Sequence, residues 1–209
     1  MVLTDRDKLI IYEIARWRGC LGRHVKVIGS FGGMSPTNRR LKKLVDNSFL
    51  TRKKYIYALP SIYQVTPFAK RFLNLDTYIG KVKLEQAEHD MTVVDTYLYL
   101  KEKYKLSVHD VISEKELRHE HGFIVRGHAP DFIYKTGDEV HCVEVELSQK
   151  AKERLEANVQ DNYIKYVSQK WVVPKNNHRV IQWLNEMMSA YPNIEMIDFR
   201  EIHANRCNH

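Results

Sequence analysis

The stretch Val140-His-Cys-Val-Glu-Val-Glu-Leu147 constrains the fold of this chain more than any other. Its apolar and β-branched residues predict a strand. Alternation along that strand sends Glu144 and Glu146 to the same side. A helix predicted over residues 149–167 follows directly, so the strand is expected inside a sheet covered by helices. Asp131 opens the preceding predicted strand, Asp131–Tyr134, and Lys135–Glu139 reads as the turn between the two. Three acids on one sheet face repel one another and are costly to bury. A divalent cation relieves that cost, and hard oxygen donors favour Mg²⁺ or Mn²⁺, which makes Asp131, Glu144 and Glu146 the candidate metal ligands. The alternative is that Glu144 and Glu146 lie on a solvated face.

Around this core the pattern alternates. A long amphipathic helix is predicted over Leu84–Tyr104 and a shorter one over Ile112–His119, which carries Glu114. Strands are expected at 123–126, Trp171–Val173 and Ile194–Phe199, with a helix at His178–Ala190. This order implies an α/β sandwich with a central mixed sheet for residues 91–209, preceded by a connector and helix start at 76–90.

The charge of the chain divides at the same place. Residues 1–75 hold 15 Lys and Arg against 4 Asp and Glu, whereas the rest hold 18 against 22. A basic module joined to a mildly acidic one points to a polyanion partner for the first. A basic but merely solvated surface is the alternative. Within residues 1–75 a helix is expected over Asp5–Arg18 with Thr4 as its cap, then a short one over Arg23–Ile28. Ser35 caps a third helix, Pro36–Asp46, with Pro36 at its first position. Leu41, Leu44 and Val45 face inward, leaving Ser35, Thr37, Asn38, Arg39, Arg40, Lys42 and Lys43 for base edges and phosphates. Leu50–Leu59 reads as a strand, a basic turn and a second strand, carrying Arg52, Lys53 and Lys54 to grip the backbone. Ile62–Val65 and a helix over Thr66–Leu73 close the unit. The order is that of a winged helix-turn-helix, and the expected partner is double-stranded DNA.

Composition narrows the class further. With 44% hydrophobic residues and only 9 Gly and 6 Pro, the chain has the makings of a packed core. No apolar run is long enough for a membrane span, and the charged start MVLTDRDKLI lacks a signal peptide's apolar stretch. Cys20, Cys142 and Cys207 offer no zinc or disulfide spacing, so a cytoplasmic protein without membrane contacts is expected. His119, His121 and His128 precede Asp131 and leave a three-histidine zinc site as an alternative to surface or DNA-facing histidines.

Pro130-Asp131, twelve residues, then Glu144-Val145-Glu146 resembles the PD-(D/E)XK nuclease core, and the helix bearing Glu114 is similar to that fold's first acidic helix. The chain departs from the pattern at Glu146, which stands where the family has lysine. Lys150 and Lys152 could supply a migrated positive charge. A winged helix with Arg-Arg-Leu-Lys-Lys-Leu in its third helix, followed by Glu-Val-Glu-Leu-Ser-Gln-Lys, resembles the plasmid replication-relaxation family. Within it, the chain is most similar to the C-class mobilisation relaxases of enterobacterial plasmids.

That resemblance implies a restriction-endonuclease-like second domain and metal-dependent nicking of one strand at a plasmid origin of transfer. It also implies a coupling or accessory mobilisation protein as partner, and a homodimer is compatible with it. Asp131, Glu144 and Glu146 would hold the metal and activate water, with Glu146 alternatively the general base. Glu114 would assist, and Lys150, Lys152 and Arg154 would stabilise charge on the phosphate. Tyr134 and Tyr163 leave a tyrosine nucleophile open. The other function the resemblance allows is a regulator or replication accessory factor, bound at an operator, whose nuclease fold has lost activity.

Overall fold

Thr4 begins the ordered architecture by closing a capping box. Its hydroxyl accepts from the Asp7 amide while its own amide donates to the Asp7 carboxylate at 2.7 Å, starting α1 (Asp5–Arg16). The computed structural model describes residues 1–55, 57, 60–75, 82–120, 128–148 and 151–202. The chain divides into two compact units, one spanning Met1–Leu98 and the other running from Tyr99 onward. Together they make a mixed α/β protein, with a small antiparallel sheet in the first unit and a mixed five-stranded sheet in the second. Among the described residues no helix is long and apolar enough to cross a membrane.

In the first unit, α1 is followed by β1 (Cys20–Leu21), α2 (Gly22–Ile28), α3 (Met34–Asp46), β2 (Leu50–Lys53), β3 (Ile62–Val65) and α4 (Pro67–Phe72). Ile10, Ile11, Ile14, Leu21, Val25, Leu41, Leu44, Leu50 and Ile62 are buried and form its core. The sheet runs β1-β3-β2, all antiparallel. Two expectations are corrected here. The third helix starts at Met34 behind Gly33, so Ser35 is a first-turn residue and not its cap. Pro36 still fits, because first-turn amides have no partner within the helix. The strand that pairs with Leu50–Lys53 is Ile62–Val65, since it carries the buried residues Ile62, Tyr63 and Val65 that a partner to this core must supply. The expected second strand before Leu59 falls partly outside the described residues, at 56, 58 and 59.

A 3-10 turn (Leu84–Gln86) leads into α5 (Ala87–Tyr104). Its earlier residues belong to the first unit. Ala87 and Met91 join Leu21, Ile62 and Val82 in a buried cluster, and Tyr97 packs on Trp17 with ring centroids 4.7 Å apart. Asp95 accepts from Arg23 Nε and Nη2, at 3.2 and 2.8 Å, and from His24 Nε2 at 2.9 Å.

The second unit continues through β4 (Val111–Ser113), α6 (Glu114–Glu120), β5 (Phe132–Thr136), β6 (Glu139–Val145), α7 (Lys152–Lys165), β7 (Ser168–Val173), α8 (His178–Met187) and β8 (Ile194–Asp198). Strand order is β4-β5-β6-β7-β8, antiparallel as far as β6 and parallel from β6 to β8. The helix expected over Ile112–His119 splits, because Val111-Ile112-Ser113 pairs with Phe132–Tyr134 as an edge strand and the helix starts only at Glu114. The expected strand at 123–126 lies outside the described residues. One sheet face packs α7 and α8 through Leu155, Val159, Trp171, Val173, Val180 and Leu184. At the other, Tyr134 is stacked between Tyr104 and His141.

Candidate functional site

Antiparallel pairing of β5 with β6 sets Phe132 opposite Val143, which brings Asp131 level with Glu144. Asp131 is held from three directions. Its Oδ2 accepts the Val145 amide at 2.7 Å, and its carbonyl accepts the Glu114 amide at 2.8 Å. Pro130, before it, is buried. Glu144 is buried, and its Oε1 accepts from Asn162 Nδ2 on α7 at 3.0 Å and bonds His128 Nε2. Burial raises the Glu144 carboxyl above its ordinary value; the His128 bond works against that, and the Asp131 charge adds to it.

Of the other residues expected to serve catalysis, Glu146, Glu114 and Lys152 have hydrogen-bond partners of their own. Glu146 is buried beyond the end of β6, its amide bonded to the Val172 carbonyl. Its Oε1 accepts from the Ser148 amide and hydroxyl at 3.2 and 3.0 Å. Glu114 accepts from Arg118 one helical turn on, at 2.9 Å. Lys152 is paired with Glu186 of α8 at 2.9 Å, and Arg154 is exposed. Lys150 lies outside the described residues. Tyr134 is buried, and burial pushes its phenol up, with the charge of Tyr104 adding to the effect. Tyr163 is half-exposed and packs edge-on to Tyr191. Of the three histidines, His119 is exposed, His128 meets Glu144 and His121 lies outside the described residues.

Two members of this cluster carried no sequence argument for it. His128 was visible three residues before Asp131, but only as a candidate zinc ligand. Asn162 could be found only by knowing the rotation of α7. Its Oδ1 is buried and has no hydrogen-bond partner among the described residues. Also among the described residues, no three His, Cys, Asp or Glu side chains converge as a metal-ligand group. Asp131, Glu144 and the Asn162 carbonyl are nevertheless oxygen donors of the kind Mg²⁺ and Mn²⁺ take.

The second candidate surface lies on the first unit. Helix α3 buries Thr37, Leu41 and Leu44 and exposes Ser35, Asn38, Arg39, Lys42 and Lys43. Thr37 turns inward, donating its hydroxyl to the Gly33 carbonyl at 2.7 Å. Arg40 forks onto the buried Asp7 of α1. Both are corrected from DNA-facing to structural, because their polar groups are committed to the protein's own partners. Burial raises the Asp7 carboxyl, but the Arg40 and Thr4 bonds outweigh it and leave it below its usual value. Lys42 pairs with Asp46 across one exposed turn at 2.7 Å, a contact too weak to withhold it from a phosphate. Arg52, Lys53 and Lys54 are exposed on and just after β2.

Comparison of the chain with family profiles, curated proteins and solved structures finds no match in any of the three.

Proposed function

We propose that this protein binds double-stranded DNA through its first unit, as a winged helix-turn-helix does. Helix α3 would enter the major groove, with Arg52, Lys53 and Lys54 on the adjoining phosphates. The observation that carries this reading is the division of α3. The helix is buried on Leu41 and Leu44 and tied to α1 through Arg40 and Asp7, so the face bearing Asn38, Arg39, Lys42 and Lys43 is presented by a fixed body. Asn and Arg side chains suit adenine and guanine edges, and the lysines suit phosphate oxygens. Selection from a random duplex pool tests it. The full chain should enrich a defined sequence, and Arg39→Ala should enrich a different one or none. A pool that emerges unenriched would sink the reading.

A second reading is metal-dependent nicking of one DNA strand, the activity of a relaxase at a plasmid origin of transfer on a restriction-endonuclease-like fold. Asp131 beside the buried Glu144, with the Asn162 carbonyl next to it and unpartnered among the described residues, favours this reading. Those three groups would hold Mg²⁺ or Mn²⁺, which when bound polarises a phosphate oxygen and acidifies water. His128 would keep Glu144 oriented, and the Val145 amide would do the same for Asp131. Against it stands the hydrogen bonding of Glu146 Oε1 to Ser148. Supercoiled plasmid carrying a candidate transfer origin, incubated with Mn²⁺ or with chelator, separates the two readings. Metal-dependent open circles lost in Asp131→Ala and Glu144→Ala would establish the nickase. Retention of that DNA without cleavage would leave the binding protein.

A further inference from the structure

The link between β2 and β3 carries an arrangement that duplex binding does not use. Tyr57 is 94% exposed, the most open tyrosine ring among the described residues. Lys54 Nζ lies 4.8 Å from its centroid, and Lys53 Nζ lies 5.6 Å from that of Tyr55. The two tyrosines are otherwise unlike. Tyr55 is half-buried, and its hydroxyl donates to Gln64 Oε1 while Gln64 Nε2 donates to the Arg18 carbonyl, so this ring is anchored to the body of the unit. Tyr57 has one face under an ammonium group and the rest of its ring in water. An aromatic ring presented beside Arg52, Lys53 and Lys54 combines the two features that hold single-stranded nucleic acid. A π-face stacks on a base and cations neutralise the flanking phosphates.

We propose that Tyr57 is a stacking platform for an unpaired nucleobase, so that the protein prefers DNA in which single-stranded bases adjoin a duplex. The inference rests on the DNA-binding reading and deepens it. In an intact duplex both faces of every internal base are stacked, and a ring outside the groove has nothing to pack on. Where a base is unpaired, its face is available and the ring can cover it. The positive charge of the link favours this polyanionic occupant over an apolar protein surface.

The test compares two labelled DNAs of the same length, one fully paired and one with a short central mismatched bubble, at fixed ionic strength with the full chain. The wild type should bind the bubble about tenfold more tightly, the scale of one aromatic–base stack. Tyr57→Ala should bring the ratio of the two affinities to about one, and Tyr57→Phe, which keeps the ring, should retain it. Arg39→Ala should weaken both DNAs and leave the ratio in place. Equal wild-type affinities, or a preference that survives Tyr57→Ala, overturns the platform while leaving duplex binding intact. Failure to bind either DNA overturns the DNA-binding reading as well, and is distinguishable because both affinities vanish together.

Discussion

Asp95 in the first unit and Glu144 in the second have almost the same surroundings and opposite tendencies. Both are buried, and both bond a histidine Nε2, from His24 and His128 respectively. The third neighbour differs. Asp95 meets the Arg23 guanidinium, which presents two nitrogens to it. Glu144 meets the neutral Asn162 amide and has the Asp131 carboxylate close by. Burial raises both carboxyls, but the His24 and Arg23 contacts carry Asp95 well below its ordinary value while Glu144 stays above its own. A structural acid is one whose charge the fold neutralises. An acid left against its preference is what sites of chemistry contain, where a cation or proton supplies the missing charge.

The largest expected effect comes from breaking the satisfied side. Asp95→Asn leaves Arg23 facing a neutral group at a buried site and should cost about 3 kcal/mol at neutral pH, read as a lower midpoint in urea unfolding. Because the folded-state carboxyl lies below the unfolded value of 3.8, its charge contributes stability above that pH and loses it as pH falls further. The difference between wild type and variant should therefore shrink only below about pH 4. A deficit that stayed constant down to pH 3 would mean packing, and not charge, is what the variant loses.

The unsatisfied side should respond with the opposite sign. Glu144→Gln keeps an oxygen for one donor and removes the buried charge. It should raise stability at neutral pH by on the order of 1 kcal/mol. Here the folded-state carboxyl lies above the unfolded value of 4.5, so the wild type is penalised increasingly as pH rises through the folded value. The gain should grow from pH 4.5 towards neutrality and vanish below it. Loss of stability at pH 7 would show that the carboxylate is as well compensated as Asp95. A sharper version adds Mn²⁺. A cation held by Asp131, Glu144 and Asn162 would raise the unfolding midpoint of the wild type, and leave that of Glu144→Gln where it was.

A smaller contrast lies within α3 itself. Arg40 and Arg39 are sequence neighbours with different duties: Arg40→Ala strips a buried carboxylate of its partner and should lower stability by about 2 kcal/mol. Arg39→Ala, on the exposed face, should change stability by no more than about 0.5 kcal/mol. Equal thermal shifts in the two variants would erase the distinction.

Much of this was legible in the residues. Hydrophobic periodicity placed α1, α2, the body of α3 and the β5–β6 hairpin, because each buries a regular stripe or alternate residues. Periodicity failed where a long-range partner decides the outcome. Val111–Ser113 is too short to announce itself and is a strand because β5 lies beside it. The split of the arginines was equally hidden, since Arg40 is turned inward by Asp7, 33 residues earlier in the chain. At the acid cluster, strand alternation put Glu144 and Glu146 on one side, and the hairpin reading put Asp131 on the neighbouring strand, where the register sets it level with Glu144. Nothing local could pair Glu144 with Asn162, 18 residues away on α7.

The most direct test of the account is the salt dependence of duplex binding for the wild type, Arg39→Ala, Lys43→Ala and Glu144→Gln. If the exposed face of α3 meets DNA, the wild type should bind with a steep slope of log affinity against log salt. Loss of a phosphate-contacting lysine should reduce that slope by about one unit, Arg39→Ala should cost affinity, and Glu144→Gln should bind as the wild type does. A slope and affinity unchanged by both α3 substitutions would contradict the assignment of that face and move the DNA elsewhere on the molecule.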